Sequence, residues 1–142
     1  MAENVLERVL LPVASEEDAR TTCASALPRI ADADGSVLAV HVVEKGDGAP
    51  DPTSPTQQEE RGEEAFAVVA EECEAAGIPC ETRMLYGSDV AETIFDGARE
   101  EDATAIGFIP RESNRIVEIL SGSTTYSILQ NADRPVVVFP SG

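Results

Sequence analysis

Three groups of residues in this chain have types and spacing suited to chemistry. The first is Gly122-Ser123-Thr124, which opens the helical run Tyr126 to Asn131. Free backbone N–H groups at such a helix start bind anions, although a plain cap by Ser121 or Ser123 accounts for the same residues. The second is Arg111 with Arg115, whose guanidinium groups hold phosphate or carboxylate in bidentate fashion, or pair structurally with Glu112 or Glu118. The third is His41, whose residue type titrates near neutral pH but which is more simply a partly buried structural residue near the end of an apolar strand. A single histidine leaves little material for a zinc site or a Ser-His-Asp arrangement. No nucleophile-base pair, P-loop or metal-ligand cluster is visible, so no enzymatic activity is expected. Cys23, Cys73 and Cys80 are odd in number and lack CxxC spacing, which makes them small buried apolar residues rather than a disulfide frame or metal site.

The charge balance removes further classes. With 27 acidic and 10 basic residues among 142, the chain carries a formal charge of -17, and Lys45 is its lone lysine. Such a surface repels itself unless counterions screen it, which points to a salt-adapted protein. Nucleic acid and anionic membrane surfaces are disfavoured, because nothing gathers Lys and Arg to neutralise phosphate. No apolar run approaches the length of a membrane span, and Glu3 and Glu7 precede the first apolar run, unlike a signal peptide. A cytoplasmic location is the expectation.

The elements that must position these residues alternate between strand and helix, as repeated βαβ units on a parallel sheet do. Val9 to Val13 is almost continuously apolar, as a strand covered on both faces should be. Ser15, with Asp18 after it, has a capping-box pattern and starts a helix carrying Ala19, Cys23, Ala26, Leu27 and Ile30 on one face, ended by Asp34-Gly35. Ser36 to Val43 is a second strand. The segment 44–55, rich in Gly, Pro and Asp, is expected to be a mobile loop. Ser54-Pro55 begins a long helix that reaches Ala76, and Gly77 stops it. Cys80 to Leu85 is the third strand, Gly87-Ser88 opens a helix with Val90, Ile94 and Ala98, Ala105 to Ile109 is the fourth strand, and Pro135 to Pro140 is the fifth. One domain over 1–142 is expected. With the first strand beside the fourth, Val13-Ala14-Ser15 and Ile109-Pro110-Arg111 form the two lips of one crevice.

Several segments together resemble the universal stress protein family. Arg8 to Val13 looks like its opening strand, Val40-His41-Val42-Val43 like its second, Gly87 to Ile94 like the start of its third helix, and Ala132 to Val138 like its ending. The resemblance covers nearly the whole chain. It implies an α/β fold: a single three-layer domain with a five-stranded parallel sheet in the order 3-2-1-4-5, of the universal-stress and adenine nucleotide alpha hydrolase type. In the family's nucleotide-binding branch the C-terminal region reads Gly, two residues, Gly, nine residues, Gly, then Ser or Thr. Counted back from Gly122, the first two glycines should stand where this chain has Ile109 and Glu112. Binding members also resemble one another in an Asp just after the opening strand's Pro-Val, suited to accepting from a ribose; here that residue is Ala14. A methyl group accepts nothing, a β-branched residue resists the positive φ a phosphate loop often needs, and Glu112 repels phosphate.

The expectation is therefore a stress-response or regulatory binding protein without tight ATP binding and without a bound cofactor. The alternative keeps AMP or ATP as a regulatory ligand held by the Gly122 helix start. Val13, Ala14, Ser15, Val42, Arg111, Gly122, Ser123 and Thr124 are the candidate cleft residues, for a nucleotide or another small anion. A homodimer is expected through Val136 to Phe139, an apolar strand with few charges to protect its edge, and this is the common pairing mode the resemblance implies.

Overall fold

The strand Arg8–Pro12 (β1) lies in the middle of the sheet because its residues Val9, Leu10 and Leu11 are apolar toward both faces, and all three are wholly buried. The structure, a computed structural model, describes residues 4–44, 55–109 and 132–140. After β1 come α1 (Glu16–Asp32), β2 (Ser36–Glu44), α2 (Pro55–Ala76), β3 (Cys80–Gly87), α3 (Val90–Glu100), β4 (Ala105–Phe108) and β5 (Val136–Val138). All paired strands are parallel, in the order β3-β2-β1-β4-β5. The sheet thus has the expected order and class.

Its two faces carry separate cores. Val9, Leu11, Val13, Val37 and Ala39 face α1 and α2, where Ala19, Cys23, Ala26, Ile30, Ala65, Phe66, Val69 and Cys73 complete the packing. Leu10, Leu38, Val40, Ile106 and Phe108 face α3 through Ile94, Phe95 and Ala98. The alternation of residues between faces is the two-residue period of a strand, here apolar on both sides.

Helix boundaries follow local chemistry. Ser15 caps α1, its Oγ accepting the Asp18 N–H at 3.2 Å. Pro28 lies inside α1 on an exposed position, where its missing N–H is tolerated. Asp34-Gly35 ends α1 as expected, with Asp34 the left-handed residue at φ 56, and a Cβ at Gly35 would collide with the Leu6 carbonyl oxygen. Gly77, with φ 73, does end α2 as expected. β3 runs two residues further than expected, through Gly87, so the cap of α3 is Asp89, whose Oδ1 accepts the Glu92 N–H at 3.0 Å.

The chain enters β5 through Arg134. Its Nη1 donates to the carbonyls of Ala98 at 2.9 Å and Ala103 at 2.7 Å, fastening the new strand to the end of α3. The fifth strand is shorter than the sequence suggests. Phe139 is not part of the expected edge Val136 to Phe139: its N–H donates to the Phe108 carbonyl at 2.8 Å and its ring is buried against Gly107. Glu44 belongs to β2 rather than to a loop, because Gln58 of α2 accepts its N–H at 2.9 Å. The rest of the expected loop, 45–54, lies outside the described residues.

Candidate functional site

In an open parallel sheet the ligand crevice lies at the carboxyl ends of the strands where the winding reverses. Here β1 is that point, with β2 on one side and β4 on the other. Leu10 pairs with Ile106, so Val13 and Ile109, each three residues further on, leave the sheet side by side. Of the two lips named from the sequence, Val13 and Ile109 are therefore adjacent, and Pro110 and Arg111 lie outside the described residues.

On the first lip several polar groups already have internal partners. The Val13 N–H donates to the Val40 carbonyl at 2.9 Å, and the Val13 carbonyl accepts from His41 Nδ1 at 2.8 Å. A carbonyl only accepts, so Nδ1 carries the proton, and in the neutral ring Nε2 is the lone-pair nitrogen. That Nε2 is buried with no hydrogen-bond partner among the described residues. The ring is 7% exposed and packs beneath Gly62 of α2, where a Cβ would stand 2.6 Å from Cδ2. His41 thus serves as the structural residue the sequence favoured, and it fastens β2 to the end of β1.

Ala14, in the place of the ribose-accepting Asp, offers no side-chain acceptor. Its N–H donates to Asp18 Oδ2 at 2.8 Å. Asp18 is buried, and Glu16 and the exposed Glu17 share the first turn of α1 with it, a grouping that suits the positive end of the helix and repels an incoming anion. Val42 is on the other face of the sheet from His41, half-buried against the α3 core. The structure brings Val13, Ala14 and Ser15 together with His41 and Ile109, and sets Val42 apart from them.

On the second lip the described residue is Ile109. Ile109 is 3% exposed and belongs to the same core as Leu11, Val13 and Phe139. Arg111, Gly122, Ser123 and Thr124 lie outside the described residues, as do Glu112 and Arg115. Among the described residues no group of His, Cys, Asp and Glu is arranged to hold a metal ion. No described helix is long and apolar enough to cross a membrane. A groove of about 360 Å³ lies away from the crevice on the flank of α1, lined by Arg20, Thr21, Ala24, Ser25, Arg29 and Pro140. Its arginines are engaged, Arg20 with Glu16 at 3.6 Å and Arg29 with the Ser25 carbonyl at 2.8 Å.

The role of Asp18 was not foreseen in the sequence. A capping box predicts that it returns to the Ser15 N–H, and one residue of difference takes it to Ala14 instead. The signal available was the pair itself, a buried acid at the third helical position with no Asp before it to compete.

A doubly wound α/β sheet with its crevice at the β1/β4 reversal defines the class of protein. The chain belongs to the universal stress protein family, whose family model matches residues 6–140. No curated protein matches it. Among solved structures it is similar to a universal stress family protein from Burkholderia pseudomallei, with a TM-score of 0.71, 22% identity, and 99% of this chain and 100% of that chain covered. It is also similar to the universal stress protein from Archaeoglobus fulgidus in complex with dAMP, with a TM-score of 0.64, 21% identity, and coverage of 95% and 98%. A universal stress protein in complex with cAMP aligns with a TM-score of 0.60 at 15% identity, covering 96% of this chain and 98% of that one. At these identities the likeness is one of fold.

Proposed function

We propose that this chain is a regulatory binding protein of the universal stress type that does not hold ATP tightly, catalyses no reaction and works as a cytoplasmic homodimer. The observation that carries the reading is Ile109. Where a phosphate-wrapping backbone requires glycine, this chain has a β-branched side chain buried in the core beside Val13. Ala14 supports the same conclusion, since it has no acceptor for a ribose and its N–H is taken by Asp18. A second reading keeps AMP or ATP as a regulatory ligand, and is favoured by relatives of the same fold in complex with dAMP and cAMP.

Calorimetric titration decides between them. At about 1 mM ATP a dissociation constant of about 0.1 mM would stabilise the fold by roughly 1.4 kcal/mol, a shift that melting readily detects. The parent protein is expected to show none. The triple variant Ala14→Asp, Ile109→Gly and Glu112→Gly restores an acceptor, backbone access and neutral charge, and is expected to bind measurably. Clear binding by the parent, or an adenine nucleotide co-purified with it in native mass spectrometry, would establish the second reading.

A further inference from the structure

The three cysteines, unrelated by spacing, meet on one side of the sheet. Cys23 of α1 and Cys73 of α2 are buried in the α1/α2 core, and Cys80, the first residue of β3, packs half-buried against it. Between Cys73 and Cys80 the chain makes a fixed turn. The Gly77 N–H donates to the Glu74 carbonyl at 3.2 Å, and the Ile78 N–H returns to the Cys73 carbonyl itself at 2.9 Å. Val37 then holds Cys80 in register with β2. Across this turn the two thiols act on one another, while the Cys80 Sγ–H donates to the Glu81 carbonyl at 3.8 Å.

We propose that Cys80 is a site of oxidation by hydroperoxides, with Cys73 as the resolving thiol that converts it to an internal disulfide. The pair divides the roles by position: Cys80 is reachable from solvent at the edge of the core, whereas Cys73 is fully buried behind it. The neighbouring Cys80 side chain, then burial, hold the Cys73 thiol above its ordinary value. The neighbouring Cys73 thiol lowers Cys80, against the opposing effects of burial and of the Glu81 charge. An accessible, lowered thiol beside a resolving cysteine is the arrangement of redox-sensing sites. Cys23 differs: burial first, then Glu72, Cys80 and Asp18, push it up to about 12, so it stays a thiol at neutral pH.

The chemistry balances with one hydroperoxide as oxidant. The Cys80 thiolate attacks the peroxide, an S–O bond forms as the O–O bond breaks, and the leaving oxygen takes a proton to depart as water or an alcohol. The sulfur loses two electrons and the peroxide gains them. The Cys73 sulfur then attacks the Cys80 sulfenic acid, an S–S bond replaces the S–O bond, and hydroxide leaves with the Cys73 proton as water. The product ties the end of α2 to the start of β3.

The test is peptide mapping of the whole protein after hydrogen peroxide, with dimedone to trap sulfenic acid. The parent is expected to lose two hydrogens and yield a Cys73–Cys80 linked peptide reversible by dithiothreitol. Its Cys80 should be consumed at least about tenfold faster than Cys23. In Cys73→Ser, dimedone should mark Cys80. Reaction first at Cys23, a Cys80 no faster than Cys23, or a disulfide joining two chains at Cys80 would each overturn the proposal. The parent measurement alone decides it if the variant fails to fold.

Discussion

Asp18 Oδ2 accepts the N–H of Ala14 at 2.8 Å, so the backbone at the lip of the crevice is closed by an acid from the first turn of the helix that follows. The Asp18 N–H meanwhile donates to Ser15 Oγ. Residues 14, 15 and 18 form one interlocked cap, and the loop between β1 and α1 has its shape set from inside.

Removing the acid should therefore cost more than a surface change. Asp18→Ala leaves the Ala14 N–H without its partner beside a buried site, and is expected to lower stability by about 1–3 kcal/mol. Ser15→Ala should cost about 1 kcal/mol. Urea unfolding followed by circular dichroism measures both; equal and negligible losses would mean that the cap does not hold the loop.

The close approach of α2 to His41 yields a second expectation. Alanine ordinarily favours a helix over glycine by about 1 kcal/mol. At Gly62 the added Cβ would fall 2.6 Å from His41 Cδ2 and 3.0 Å from Met84 Sδ. The ring is held by its bond to the Val13 carbonyl and cannot move freely. Gly62→Ala is expected to destabilise by about 1–3 kcal/mol in spite of its helix propensity. A stabilised variant in thermal melting would show that α2 shifts to make room.

The parts of the fold that were readable are those where one local rule dominates. The unbroken apolar run of β1 marks a central strand, and Ser15 and Gly77 mark helix ends by chemistry that needs no tertiary partner. What escaped reading depends on residues far apart in sequence. Asp34-Gly35 is legible as the end of α1, but that Leu6 demands a glycine at 35 and that Asp34 takes the left-handed turn are not. His41 has a role only once Val13 and Gly62 lie against it. At the site, Ala14 and Ile109 were legible as departures from a resemblance, whereas the burial of Ile109 in the core beside Val13 is a matter of packing.

Salt provides a third expectation. A chain with net charge -17 repels itself over a Debye length of about 30 Å at 0.01 M salt and about 3 Å at 1 M. Attractive pairs also weaken with salt, among them Arg8 with Glu81 at 3.2 Å and with Glu101 at 3.4 Å. With 27 acidic residues against 10 basic ones, most carboxylates have no cation to pair with, so repulsion between carboxylates dominates. The melting temperature should climb as KCl rises from low to molar concentration. A flat or falling curve would remove the salt-adapted reading.

The sheet edge supplies the last. The Ile106 N–H donates to the Pro135 carbonyl at 3.0 Å and the Phe139 N–H to the Phe108 carbonyl at 2.8 Å, so odd-numbered residues of this stretch bond toward β4. By the alternation of a parallel ladder, Val136 and Val138 turn their N–H and carbonyl groups outward. Val138 is also 54% exposed, the most of any large apolar residue among the described residues. A proline at Val137 would break the ladder to β4 and confuse misfolding with dissociation. Val138→Pro removes an outward donor and leaves that ladder whole. Light scattering should give a dimer for the parent at micromolar concentration and a folded monomer for Val138→Pro. A parent that is already monomeric, or a Val138→Pro variant that stays dimeric with its fold intact, would place any pairing surface elsewhere than this edge.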